Sequence, residues 1–146
     1  MMLIATLLSC TGTIPVSTGK YWGIRDQTLP YIARIRAERN NAPAVIYNPV
    51  ICDQIGAACG FFYKHAFSHY FLNHQLLEPK YYTQLQEDQA DCYAAKTAKS
   101  EDVFAAVMLM ESDEASNYPI TGDPKKRARL VRECAVKYNN WAGLDR

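Results

Sequence analysis

From Asp26 to Asn40 the apolar residues Leu29, Ile32, Ile35 and Ala37 recur at helix-like intervals, with Arg34, Arg36, Glu38 and Arg39 between them. That spacing predicts a helix with one wet face, ended by Asn40-Asn41-Ala42-Pro43. Ala44-Val45-Ile46-Tyr47 combines branched and aromatic side chains between Pro43 and Asn48-Pro49, and predicts a strand. One long helix is then expected, from about Val50 or Asp53 to Asn73. Gly56 and Gly60 inside it either weaken it or let a neighbour approach closely. His74 to Pro79 reads as a connection and Tyr81 to Ala98 as the next helix. Ser100 is expected to cap a further helix, with Glu101 and Asp102 in its first turn, where the helix dipole favours acidic groups. The core stripe of that helix is Val103, Phe104, Val107, Met108 and Met110. Ser112 to Gly122 reads as a polar loop. Asp123-Pro124 pairs a capping residue with a proline at the first helical position and opens a last helix reaching about Tyr138. The pattern predicts an α+β fold, mostly α, with a short N-terminal strand or small sheet. Residues 20–146 form its single domain.

The chain has 146 residues, 49% of them hydrophobic and 21% charged, enough apolar material for a packed core. A formal net charge of +1 neither favours nor excludes a polyanionic partner. The last helix carries Lys125, Lys126, Arg127, Arg129, Arg132 and Lys137 against Glu133. It reads as a solvated face over buried Ala128, Leu130, Val131 and Ala135, with the acidic stretch Glu87 to Glu114 as its complement, so nucleic acid is not an expected partner. Residues 1–19 carry no charge. The apolar run Met1 to Leu8 looks like the end of a secretory leader. Leu7, Ser9 and Cys10 resemble a lipoprotein cleavage site with Cys10 as the lipidated residue, and Thr11 to Gly19 reads as a tether. Export is therefore expected, to a periplasmic, outer-surface or secreted location, with a membrane contact only through a lipid on Cys10. The remaining cysteines, Cys52, Cys59, Cys92 and Cys134, are even in number, as in an oxidising compartment. On one continuous helix Cys52 and Cys59 would stand about 10 Å apart, too far to bond to each other. Bridges are therefore expected between those two and the pair Cys92 and Cys134, in either order, with four buried free thiols as the alternative.

Chemistry concentrates between Phe61 and Asp91. His65-Ala66-Phe67-Ser68-His69 places two imidazoles four residues apart, on one side of a helix and able to grip one metal ion. Eighteen residues beyond His69, Glu87-Asp88-Gln89-Ala90-Asp91 places two carboxylates four apart on the next helix. Leu85, Ala90, Tyr93, Ala94 and Ala95 flank them, and a helix that buries such a face must offset its charge. Glu87 fits as a third metal ligand, and Asp91 as the group holding the far nitrogen of a ligand histidine. His74 reads as a loop or surface residue.

A strand, an H-x-x-x-H helix and an E-x-x-x-D helix, in that order, resemble the glutamate-zincin metallopeptidases, of which thermolysin is one. The resemblance covers roughly residues 28 to 98. It implies a zincin-like fold and a zinc ion on His65, His69 and Glu87, with Asp91 orienting a ligand histidine. It also implies a peptide or protein substrate paired with the strand Ala44 to Tyr47 and cleaved by metal-activated water. The chain departs from the family at Ala66, which stands where H-E-x-x-H carries its general base. That leaves three expectations: a pseudoenzyme that keeps the metal and binds a partner, a substitution that silences a peptidase, or another carboxylate, such as Glu78 or Asp88, reaching the water. A metal-free helical lipoprotein with a buried polar cluster is the remaining alternative.

Overall fold

The computed structural model describes residues 23–38 and 42–143. The expected leader, tether and lipidation site at Cys10 lie outside the described residues. Three strands form one sheet: β1 (Ile24–Arg25), β2 (Ala33–Ala37) and β3 (Pro43–Tyr47), in the order β1-β3-β2. β3 runs parallel to β1 and antiparallel to β2, with Ile35 opposite Val45 and Ala33 opposite Tyr47. Five α-helices follow: α1 (Pro49–Ile55), α2 (Ala58–Phe71), α3 (Gln84–Thr97), α4 (Ser100–Glu111) and α5 (Pro124–Lys137). The α+β, mostly α class is as expected.

The helix expected over Asp26 to Asn40 does not form. Ala33-Arg34-Ile35-Arg36-Ala37 alternates strictly, which is a strand's period, and Pro30 stands where a continuous helix would need a backbone donor. Ile35 is buried against Val45 and Ala66, while Arg36 is exposed. β3 consequently lies inside the sheet with both edges occupied, so it is not the strand that a peptide could extend. Among the described residues the sheet has two edge strands, β2 and the two-residue β1.

The long helix expected after Asn48 is broken in two. Asn48 opens α1 by accepting from the N–H groups of Val50 and Ile51, and its amide donates to the Gln27 and Leu29 carbonyls. Gly56, at φ 60°, ends α1 in a conformation that suits glycine. The chain then restarts as α2, turned back far enough for Cys52 and Cys59 to come within 5.2 Å Cα to Cα and form a disulfide. Cys92 on α3 bonds to Cys134 on α5. Both pairings differ from the expected cross-pairing, because that expectation rested on an unbroken helix.

α2 lies at the centre, between the sheet on one side and α3 and α4 on the other. At Gly60 a Cβ would collide with the Asp102 carboxylate of α4, so the glycine permits that close approach. The core joins Phe61 and Phe62 of α2 with Val103, Val107 and Met110 of α4 and with Ala128, Val131 and Ala135 of α5. Met108, expected in that core, is 38% exposed, and Ala106 takes its place. Lys99, not Ser100, precedes the first turn of α4, and no side chain caps it. Asp123 caps α5 as expected, accepting from Lys125 and Lys126.

Candidate metal centre

Because α2 packs on α3, residues facing that seam meet. His65 and His69 share one face of α2 with ring centroids 5.1 Å apart. A capping box, Thr83 with Gln86, fixes the start of α3 and sets Glu87 in its first turn, opposite the two rings. His65 Nε2 lies 3.6 Å from Glu87 Oε2, and His69 Nε2 lies 3.1 Å from Glu87 Oε1. One donor atom from each of the three residues falls within 4.8 Å of the others. Ligands on a tetrahedral zinc with bonds of about 2.0–2.1 Å stand roughly 3.4 Å apart, close to both histidine–glutamate separations.

Each imidazole is held from behind. Asp91, fully buried, accepts from His65 Nδ1 at 2.7 Å, as expected for an orienting carboxylate. With Nδ1 so engaged, Nε2 is the nitrogen that faces Glu87. Tyr82 stacks on the His69 ring at 3.7 Å and 10°, its hydroxyl accepting from the Leu77 N–H. α2 ends at Phe71, Asn73 takes a left-handed turn at φ 57°, and the His74 N–H bonds back to the His69 carbonyl at 2.9 Å. This return brings His74 Nδ1 to within 2.9 Å of His69 Nδ1, so His74 belongs to the site's surroundings and is not a free loop residue.

The charges are arranged around buried Asp91. Arg127 of α5, expected on a solvated face, is only 6% exposed and grips Asp91 through Nε at 2.8 Å and Nη2 at 2.7 Å. It also donates to the Thr121 carbonyl. Burial alone would raise the Asp91 pKa, but Arg127 and then His65 outweigh it and bring it to about 2. For His65, burial pulls the pKa down, and the Asp91 carboxylate overcomes this and raises it. His69 is lowered, chiefly by burial. Burial also opposes ionisation of Glu87, yet the two histidines hold it well below the usual carboxylate range.

The donor set fits a divalent transition metal. Two imidazole nitrogens and one carboxylate oxygen are ligands that zinc accepts. Glu87 Oε1 is buried without a hydrogen-bond partner, since its 3.1 Å approach to His69 does not meet hydrogen-bond geometry. Above the three residues a cavity of about 40 Å³ is walled by Arg34 and Ile35 of β2, Tyr82, Ile120 and Arg127. At ~10–15 Å³ per water this holds about three waters.

Ala66 does not line that cavity. It is 3% exposed and packs on Ile35, which does. Neither Glu78 nor Asp88 lines it: Glu78 pairs with Arg34 and Lys80, and Asp88 accepts from Gln84. Cys52, Cys59, Cys92 and Cys134 are in disulfides and outside the donor set. Arg127 was legible in principle, since it shares the i, i+4, i+7 face of Val131 and Cys134.

Searches against protein-family models, curated proteins and solved structures find no match to this chain. Two disulfides fit an oxidising compartment. Among the described residues no helix is long and apolar enough to cross a membrane.

Proposed function

We propose that this chain is a zincin-like metal-binding domain of the glutamate-zincin type, holding zinc through His65, His69 and Glu87. The observation that carries this reading is the convergence of two imidazole nitrogens on the half-buried Glu87 carboxylate, whose Oε1 is buried with no hydrogen-bond partner. Zinc held there would supply a Lewis acid able to acidify water or polarise a carbonyl. The chain's own residues do the rest. Asp91 fixes the His65 ring, Arg127 neutralises Asp91, and Tyr82 packs flat on His69. The partner class is an extended peptide or protein segment. It is supported by the free edge of β2, whose Arg34 and Ile35 wall the cavity and whose backbone is open to strand addition. Without a carboxylate at position 66 the domain lacks the family's proton-transfer group. It therefore acts as a peptide-binding pseudoenzyme or as a silenced peptidase. Its setting is an exported one, with Cys10 as the anchor point.

A second reading rests on charge. If His65 is protonated, His65 and Arg127 balance Glu87 and Asp91 with no metal, and the four form a structural polar cluster. Elemental analysis of protein purified without chelator separates the two readings. About one zinc per chain supports the metal site, and a metal-free protein that also takes up no added zinc overturns it.

A further inference from the structure

The return of the chain after α2 links three side chains in a row. His69 Nδ1 lies 2.9 Å from His74 Nδ1, and His74 Nε2 lies 3.0 Å from the Gln89 amide oxygen. Two ring nitrogens at that distance cannot both carry protons or both lack them, so one donates and the other accepts. Gln89 turns its amide oxygen, which only accepts, toward His74 Nε2, so a neutral His74 carries its proton on Nε2 and presents a bare Nδ1. His69 must then donate from Nδ1, and its Nε2 lone pair is left pointing at Glu87.

At the other end of the row His69 Nε2 lies 3.1 Å from Glu87 Oε1, which has no hydrogen-bond partner. We infer that Gln89 and His74 are positioning residues: a relay running Gln89–His74–His69 fixes the tautomer of His69, so that its Nε2 is presented unprotonated to a metal ion.

This inference deepens the proposed metal site and rests on it for its purpose, but not for its geometry. It gives exposed Gln89, on the outer side of α3, a role at a site it does not touch. Asp91 does the same for His65 with a carboxylate. A relay through a second imidazole does it for His69 with neutral groups, adding no further carboxylate to the site.

The test uses the full chain and two readouts. Side-chain nitrogen NMR of the metal-free protein reads which nitrogen of each ring is protonated, and competition with a chelating dye reads zinc affinity. In the parent, His69 is expected to carry its proton on Nδ1 and His74 on Nε2. Gln89→Lys replaces the acceptor with a donor, so it should reverse both tautomers and weaken zinc binding by roughly 10- to 100-fold. Gln89→Glu restores an acceptor and should keep the parent tautomers and bind zinc at least as well. A changed charge alone would weaken zinc binding without moving a proton between ring nitrogens, so the tautomer shift isolates the relay. Finding His69 protonated on Nε2 in the parent overturns the inference. So does a Gln89→Lys variant that keeps the parent tautomers or the parent's zinc affinity. If the parent takes up no zinc, the proposed function fails while the tautomers still decide the relay.

Discussion

Arg127 closes on Asp91 with two parallel hydrogen bonds, Nε to Oδ2 and Nη2 to Oδ1, and the same Oδ1 receives His65. One buried carboxylate therefore serves a cation from α5 and an imidazole from α2. Such a pair adds little stability when intact, but losing one partner leaves an uncompensated charge. Arg127→Met is expected to cost about 3–5 kcal/mol in urea unfolding, the range for breaking a buried pair. A loss below about 1 kcal/mol would place it among exposed pairs and show that Asp91 finds its compensation elsewhere.

Proton linkage predicts two limbs. The folded pKa of Asp91 is about 2, below its ordinary 3.8. Its contribution is thus complete above that ordinary value and lost as pH falls through the folded one. His65 is shifted upward from 6.5, so its contribution is complete below 6.5 and lost as pH rises through the folded value. The metal-free protein should be most stable in mild acid, declining on both sides. Zinc must displace the His65 proton, so its affinity should rise with pH and its uptake near pH 6.5 should release protons. Calorimetry in two buffers of different ionisation enthalpy measures that release, and zinc uptake without it contradicts the arrangement.

His69→Ala removes a proposed ligand and a buried ring stacked on Tyr82. In the parent, excess zinc should raise the melting temperature, since a ligand that binds only the folded state stabilises it by mass action. The variant should melt at one temperature with or without zinc. A zinc-dependent rise that survives the substitution would place the ion elsewhere.

Restoring a carboxylate at position 66 tests whether the scaffold retains the geometry for hydrolysis. Ala66→Glu forces a larger side chain against Ile35 and Val45, an overpacking cost of about 1–3 kcal/mol. Because Ala66 packs on Ile35 and does not line the cavity, the added carboxylate reaches the site only if that packing gives way; zinc-dependent cleavage of a quenched peptide library at least roughly 10²-fold faster than the parent would show that it does. Retained zinc with no gain in cleavage leaves binding as the domain's role.

The two disulfides should differ in worth. Chain-entropy reasoning gives about 4 kcal/mol for Cys92–Cys134, which closes 42 residues, and about 2.5 kcal/mol for Cys52–Cys59, which closes 7. Serine pairs at each position, compared by urea unfolding, should show that order, and the reverse order would mean that native packing, not loop closure, sets their value.

The helical half of the fold was legible because its signals are local. Asp123-Pro124 announces α5, and the carboxylates at Glu87 and Asp91 fall on one helix face wherever α3 begins. The donor set His65, His69 and Glu87 and its orienting Asp91 could be named for the same reason. What escaped depends on single backbone events. Ala33 to Ala37 satisfies a helical stripe loosely and an alternating strand strictly, and only Pro30 tips the balance. Gly56 turns α1 away from α2, and no distance read along an unbroken helix survives that turn. His74 reads as an ordinary loop residue because the left-handed turn at Asn73, which doubles the chain back onto His69, leaves no pattern in the sequence. Arg127 looked solvated because its charged neighbours are. Its burial depends on Asp91, 36 residues away, which no local pattern reports.

Cys92 follows Asp91 directly, and Cys134 lies seven residues after Arg127, about two helical turns along the same face. Once the bridge has formed, the path joining the two charged partners shrinks from 36 residues of chain to eight and a disulfide. In the oxidised, unfolded chain each partner thus meets the other at a high effective concentration before any helix is packed. Where oxidation precedes packing, the bridge thus brings the carboxylate that orients His65 close to its counter-ion, and a reduced chain makes that pairing across 36 residues.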